Sequence, residues 1–396
     1  MENLSHSLFG LVLSKAGLEE ATPLATTALV ISSNLPDIDA LFGVKGGSLS
    51  YIKYHRGITH SFIGIACLAA LLTLVLVYID RRLRLRRDPF FRPARPTRLF
   101  WICLLGGLGH LALDFTNNYG VRPLLPFSDR WFYGDLVFVA DPWIWLILGA
   151  AAVWSTTAMK NKSNHRGSIT LVWFGVAIGA SAILLFAPIL SEKALDVGGW
   201  VRQQGHVQIL APMAIRIAWF CGLGIIALGS ILRWGRRKPA RIAQVSLLVL
   251  GVYYGGLWIA RQQALQDATG NKPVPEASLA VWPQPANPSL WKSVAAAENH
   301  VYTQNIGLLP WLHLNQAQFS EAGWTQLPAL PAQFEPALRA TAAGRIFLGF
   351  ARFPIANITE TSDGYLVNLR DSRFNLQLHA TLDTSMNVLS CTISWF

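Results

Sequence analysis

His55-Arg56-Gly57-Ile58-Thr59-His60-Ser61 runs directly into Phe62–Ile79, FIGIACLAALLTLVLVYI. The second part contains no charged residue and no proline. With Ile58–Ser61 it reaches the roughly 20 residues that cross a bilayer. The first part sets two imidazoles and a guanidinium at the mouth of that helix. Ionisable groups beside lipid are expensive unless they pair or bind cations. This junction therefore marks the chain as a membrane protein and points to where its chemistry lies.

The rest of the N-terminal two thirds agrees. Hydrophobic residues make up 52% and charged residues 14% of the chain, and mean hydropathy is +0.35. Fifteen tryptophans suit a protein with aromatic anchors at the membrane interface. Ile58–Ile79, Leu99–Phe115, Leu136–Trp154, Ile169–Leu190, Met213–Leu232 and Ile242–Ala260 read as about six spans. Ahead of them, Leu4–Lys15 and Pro23–Ser33 are too short to span and read as a helical hairpin dipping into the membrane. A hairpin returns His6 and the pair Asp37 and Asp39 to one side. Cys67, Cys103, Cys221 and Cys391 have no CxxC spacing and indicate neither a disulfide framework nor a zinc knuckle. The N-terminus has no basic segment followed by a small-residue cleavage site, so no cleaved signal peptide is expected.

The net charge of +11 lies in alternate loops. Arg81, Arg82, Arg84, Arg86, Arg87, Arg92, Arg95 and Arg98 follow the first full span. Lys160, Lys162 and Arg166 follow the third, and Arg233, Arg236, Arg237, Lys238 and Arg241 the fifth. By the positive-inside rule these loops are cytoplasmic, which accounts for the charge without nucleic acid. The opposite loops, with Asp37, Asp39, His55, Arg56, His60, Asp114, Asn117, Asn118 and Asp135, are then extracytoplasmic.

After about Ala260 the composition turns polar. We expect a helical membrane domain over residues 1–262, a proline-rich linker over 263–289, and an extracytoplasmic α+β domain over 290–396. In the last, Phe334–Ala343 reads as a short helix. Arg345–Phe353, Gly364–Leu369, Phe374–Thr381 and Val388–Phe396 read as strands. The fold class is thus mostly α: a polytopic helical membrane domain with a C-terminal soluble α+β domain.

His6, Asp37, Asp39, His55, His60, His110 and Asp114 are the candidate metal ligands. His110 and Asp114 stand four apart on one helix face. His55 and His60 are five apart, with Gly57 between them, so His55 falls in a loop and His60 in the first turn of the next helix, near a Thr59 cap. Mixed imidazole and carboxylate donors suit zinc, with manganese or iron as alternatives. With open coordination positions such a site activates water. Each motif alone has a plainer explanation, as a cap or a solvated loop; it is their convergence on one face that points to a metal. Asp135 and Asp141 are candidate general bases, against the simpler role of helix-start carboxylates. Arg56 is a candidate for an anionic substrate group, or for pairing with Asp37 or Asp39. His165, His206, His300, His313 and His379 read as solvent or structural histidines.

At Ser5-His6, Leu35-Pro36-Asp37-Ile38-Asp39, His55–Ser61 and His110–Asp114 the sequence resembles the YdjM/YbcI-type membrane-bound metal-dependent hydrolases, the domain-of-unknown-function 457 group. The resemblance covers about residues 1–190, and the His55–Ser61 block is its most specific part. It implies a multi-pass protein of the bacterial inner membrane with a hydrolytic metal site. That family is distantly similar to zinc-dependent phospholipase C and P1-type nuclease, which implies phosphoester cleavage by fold-level analogy. Some relatives are described as LexA-binding, which implies a regulatory alternative.

The leading expectation is an integral membrane metal-dependent hydrolase acting on a small-molecule or lipid substrate at the outer face. A non-catalytic scaffold or regulatory protein, with a protein partner at the C-terminal domain, is the alternative. A transporter fits less well, because the ionisable residues gather at one face and the later spans are apolar in their middles.

Overall fold

The computed structural model describes residues 1–84, 92–157, 175, 179, 213–236, 238–297, 299–308, 323–374 and 376–395. Apart from residues 175 and 179, the expected span Ile169–Leu190 lies outside them, as do the loop residues Arg86, Arg87, Lys160, Lys162, Arg166 and Arg237, and His165, His206 and His313. The N-terminal region is helical: α1 (Asn3–Lys15), α2 (Ala25–Ser32), α3 (Leu41–Tyr54), α4 (Phe62–Ile79), α5 (Pro96–Phe115), α6 (Pro142–Thr157), α7 (Met213–Ile231) and α8 (Pro239–Gly270). Among the described residues, Phe62–Arg82, Pro96–Phe115 and Pro239–Gly270 are long and apolar enough to cross a membrane. Pro142–Ser155 and Ile215–Ile231 are shorter apolar helices. The expected span at Leu136 starts late, because Asp141-Pro142 fixes the helix start: the Asp141 carboxylate accepts from the backbone N–H groups of Trp143 and Ile144.

α1 and α2 form the expected hairpin. Ser14 meets Thr26 at 2.6 Å and Ser7 meets Asn34 at 3.2 Å, an antiparallel pairing. Gly10 lets the two helices touch, since a Cβ there would lie 2.8 Å from the Leu29 carbonyl oxygen. α2 packs on α5, α4 on α5, and α1 on α6 and α8. Two short 3-10 turns, Leu35–Ala40 and Ile58–His60, lead into α3 and α4. Ser61, rather than Thr59, caps α4, accepting from the Gly64 N–H at 3.0 Å.

The C-terminal domain is two antiparallel four-stranded meanders. The first is β1 (Ser278–Gln284), β2 (Asn287–Ala297), β3 (His300–Gly307) and β4 (Thr325–Pro328). The second is β5 (Pro354–Thr361), β6 (Gly364–Asp371), β7 (Leu376–Asp383) and β8 (Val388–Trp395). Between the meanders lie α9 (Glu335–Ala340) and α10 (Ala342–Phe350). The expected helix and three of the four expected strands form. Arg345–Phe353, expected as a strand, is mostly α10, because Thr341 caps it and Ala343, Phe347 and Phe350 bury at helical spacing. Residues 263–289, expected as a linker, hold the end of α8, the whole of β1 and the start of β2. α8 continues because Ala264 and Ala268 bury one turn apart and no breaker intervenes before Gly270.

The two regions meet at the end that carries the cluster. Ile52 of α3 and Tyr119 enter the same core as Phe350, Leu369 and Leu378. Arg352 Nη1 donates to the buried Asp135 carboxylate at 2.7 Å, and Arg373 Nη1 donates to the Asn118 carbonyl at 3.2 Å.

Candidate metal centre

Four segments deliver six of the seven candidate ligands to one point, and the end of α3 adds His55. The hairpin brings His6, the Leu35–Ala40 turn brings Asp37 and Asp39, the Ile58–His60 turn brings His60, and α5 brings His110 and Asp114 from one face. The Asp37, His60, His110 and Asp114 donor atoms lie within 4.8 Å of one another, and so do those of Asp37, Asp39 and His55. Asp37 belongs to both groups. His6 stacks on His110 with ring centroids 3.8 Å apart, and its Nε2 is 3.4 Å from Asp114 Oδ1.

The partners around this group aim its lone pairs inward. His110 Nδ1 donates to the Ser33 carbonyl at 2.8 Å, which leaves Nε2 of the neutral ring as an acceptor. His60 Nδ1 faces Asp39 Oδ2 at 3.1 Å, so its Nε2 is free in the same sense. These two Nε2 atoms stand 3.1 Å apart. Asp37 Oδ1 is 3.3 Å from the His60 Nε2 and 3.6 Å from that of His110. Asp114 Oδ2 is 3.4 Å and 3.5 Å away and has no hydrogen-bond partner. Four electron-pair donors thus face one another in a buried space. Shared protons or a cation relieve the repulsion, and two imidazoles with two carboxylates suit a zinc-like divalent ion. Both His6 nitrogens also lack hydrogen-bond partners while fully buried.

Asp39 sets the geometry. It accepts from His55 Nδ1 at 2.9 Å and from the Thr59 hydroxyl at 2.6 Å while facing His60. Burial pushes its carboxyl up, but the bonds from His55 and His60 outweigh it and hold the group well below the usual carboxylate range. Burial lowers His55, against the pull of Asp39. Charged carboxylates beside an imidazole kept neutral are the protonation states that cation binding needs.

Arg56 does not reach outward. Its left-handed backbone (φ 56) turns the guanidinium onto Asp114 Oδ1 at 2.9 Å, Asn117 Oδ1 at 3.0 Å and the Gly120 carbonyl at 2.8 Å. It also stacks 4.4 Å over the Tyr119 ring. It therefore pairs with neither Asp37 nor Asp39 and positions Asp114 instead. Asp141 is spent on capping α6 and on accepting from Tyr253 at 2.8 Å, and Asp135 pairs with Arg352. Neither belongs to the two donor groups. The sequence reading missed Ser33, Tyr119, Arg352 and Arg373. Ser33 acts through its backbone, which no side-chain pattern reveals, and the two arginines lie far downstream in the chain.

A helical membrane protein with a buried histidine–aspartate centre under a β-rich C-terminal domain is the class defined by this geometry. Residues 1–192 match the family model described as YdjM inner membrane protein. The chain is also 30% identical over 142 residues to "Uncharacterized protein YfhP" of Bacillus subtilis (strain 168). That match covers 36% of this chain and 39% of the relative, so it spans about two fifths of the relative's length. No solved structure matches the chain.

Proposed function

We propose that the protein is a metal-dependent hydrolase of the inner membrane, cleaving phosphoesters of a lipid or envelope substrate at the outer face. The C-terminal domain then sits extracytoplasmically over the site, a placement that the alternating basic loops support. The observation that carries the reading is the set of four facing donors, His60 Nε2, His110 Nε2, Asp37 Oδ1 and Asp114 Oδ2. His6 and His55 extend it, and Asp37, common to both groups, can serve as a ligand in either. Zinc fits this donor set, with manganese or iron as alternatives. When bound, a divalent cation supplies Lewis acidity and lowers the pKa of a water molecule. The chain's own part is to hold the donors. Asp39 orients His55 and His60, Ser33 orients His110, and Arg56 fixes Asp114.

The test is hydrolysis of a water-soluble phosphodiester by full-length protein in mild detergent. We expect activity that chelator removes and zinc or manganese restores, and that His110→Ala lacks. Activity indifferent to chelator overturns the reading. A second reading, a metal-stabilised scaffold or regulatory protein without catalysis, draws on the commitment of Arg56, Asp135 and Asp141 to structural contacts. Metal binding without turnover of any phosphoester would favour it.

A further inference from the structure

α3 is a bent hairpin rather than a straight helix. Gly47 (φ 64, ψ −164) breaks it, Gly43 sits so close to Tyr51 that a Cβ there would lie 2.9 Å from the ring, and the Phe42 and Tyr54 rings are 4.9 Å apart. Its second limb is anchored, with Ile52 and Tyr51 packing into the C-terminal domain. Its first limb is not covered: Leu41 is 63%, Phe42 56% and Val44 82% exposed. Ile38, on the turn just before, is 49% exposed.

This apolar surface does not stand alone. The Leu35–Ala40 turn packs against the Ile58–His60 turn and the start of α4, where Ile58, Phe62 and Ile63 are also exposed. From there it continues along the outward face of α4 through Leu71, Leu74, Val75 and Tyr78, a helix long and apolar enough to span. Lys45 and Lys53 are exposed on the same hairpin, and Lys53 lies 4.9 Å from the Tyr54 ring centroid. Aromatic rings with lysines at the edge of an apolar surface are the composition of a bilayer interface, and the lysines favour anionic headgroups.

The same surface borders the centre. His60, His110 and Asp114 have fully buried side chains, whereas those of Asp37 and His55 keep 8% and 9% exposure. Asp37 precedes Ile38, and His55 follows Tyr54 and stacks on Tyr51. What the centre shows to the outside it therefore shows between the two ends of α3.

We infer that α3 lies in the bilayer interface and forms the port through which an amphiphilic substrate brings its headgroup from the membrane to the Asp37 side of the centre. The port rests on the hydrolase reading; the membrane contact does not. For the test, full-length protein with its four cysteines replaced carries a spin label at Val44→Cys, Leu74→Cys or Asp363→Cys, in nanodiscs containing anionic lipid. Leu74 marks the lipid face and Asp363 an exposed turn of the C-terminal domain. The oxygen-to-nickel-chelate accessibility ratio at 44 should fall between those at 363 and 74, exceeding that at 363 by about threefold or more. A ratio like that at 363, or exclusion of both reagents by a covering protein, overturns the membrane contact. Leu41→Ser/Phe42→Ser should lower cleavage of a vesicle-borne phosphoester relative to a water-soluble one by about tenfold. An unchanged ratio overturns the port. If wild type cleaves neither ester, the hydrolase and the port fall together, and the accessibility ratio still decides the membrane contact.

Discussion

Asp39 illustrates how one residue governs several. Its two oxygens hold His55 and Thr59 and face His60, so Asp39→Asn keeps the shape but weakens the hold on both imidazoles. Partners of metal ligands are worth about 10–100-fold in metal affinity. We expect a loss of that size in a chelator competition, with folding retained, and an unchanged affinity would place Asp39 outside the centre. Lys292, in β2, gives a pH test in the C-terminal domain. Burial lowers its ammonium from the usual lysine range to about 8, while Nζ donates to the Ser372 carbonyl at 2.9 Å. The unfolded chain then binds more protons than the folded one between about pH 8 and the ordinary lysine value, so this residue's contribution to stability rises with pH across that window. Lys292→Met should flatten that rise in a denaturation series; an identical slope contradicts it.

The close packing of elements depends on glycine at a few places and not at others. A Cβ on Gly10 would strike the Leu29 carbonyl, and one on Gly106 would lie 2.0 Å from Ser32 Oγ. Both lie where the hairpin meets itself or α5, and small residues are what let membrane helices approach. Gly10→Leu should separate α1 from α2, lowering the melting temperature and metal content together. A Cβ on Gly255 would meet nothing within 4 Å, so Gly255→Ala should be neutral or stabilising by up to about 1 kcal/mol. Equal effects of the two substitutions would contradict this packing. At this scale the sequence is readable where period and breakers agree. The hairpin, α4, α5, β6, β7 and β8 follow from apolar length or from alternation around Asp363-Gly364. Arg345–Phe353 reads as a strand because its aromatic content resembles one, and only the Thr341 cap reveals the helix over Ala342–Phe350. The first meander escapes because Ser278–Gln284 falls in a proline-rich stretch that reads as a linker, and Asn287–Ala297 carries no alternation that marks a strand until the two pair.

Across the whole molecule, the C-terminal domain and the centre share a frame. Arg352 bonds to Asp135 and Arg373 holds the Asn118 carbonyl. Tyr119 carries both the Phe350 ring at 4.7 Å and the Arg56 guanidinium. Arg56 in turn holds Asp114. The convergence of His6, Asp37, Asp39, His55, His60, His110 and Asp114 is legible in the sequence because topology alone gathers them. The support from residues 350–373 is not, since no local pattern links them to the loop at 117–120. Removing one partner of a buried ion pair costs about 3–5 kcal/mol. Arg352→Ala should therefore loosen the C-terminal domain, seen as faster hydrogen exchange at Asn117–Gly120, and unchanged exchange would contradict the docking.

The central claim is that the buried histidines and aspartates hold a divalent cation. Metal content of full-length protein, purified in mild detergent without chelator and compared with His60→Ala, tests it most directly. Wild type should carry about one to two equivalents of zinc, manganese or iron, and His60→Ala should lose them while still inserting into the membrane. Metal-free wild type, or a His60→Ala variant with the same content, would contradict the account.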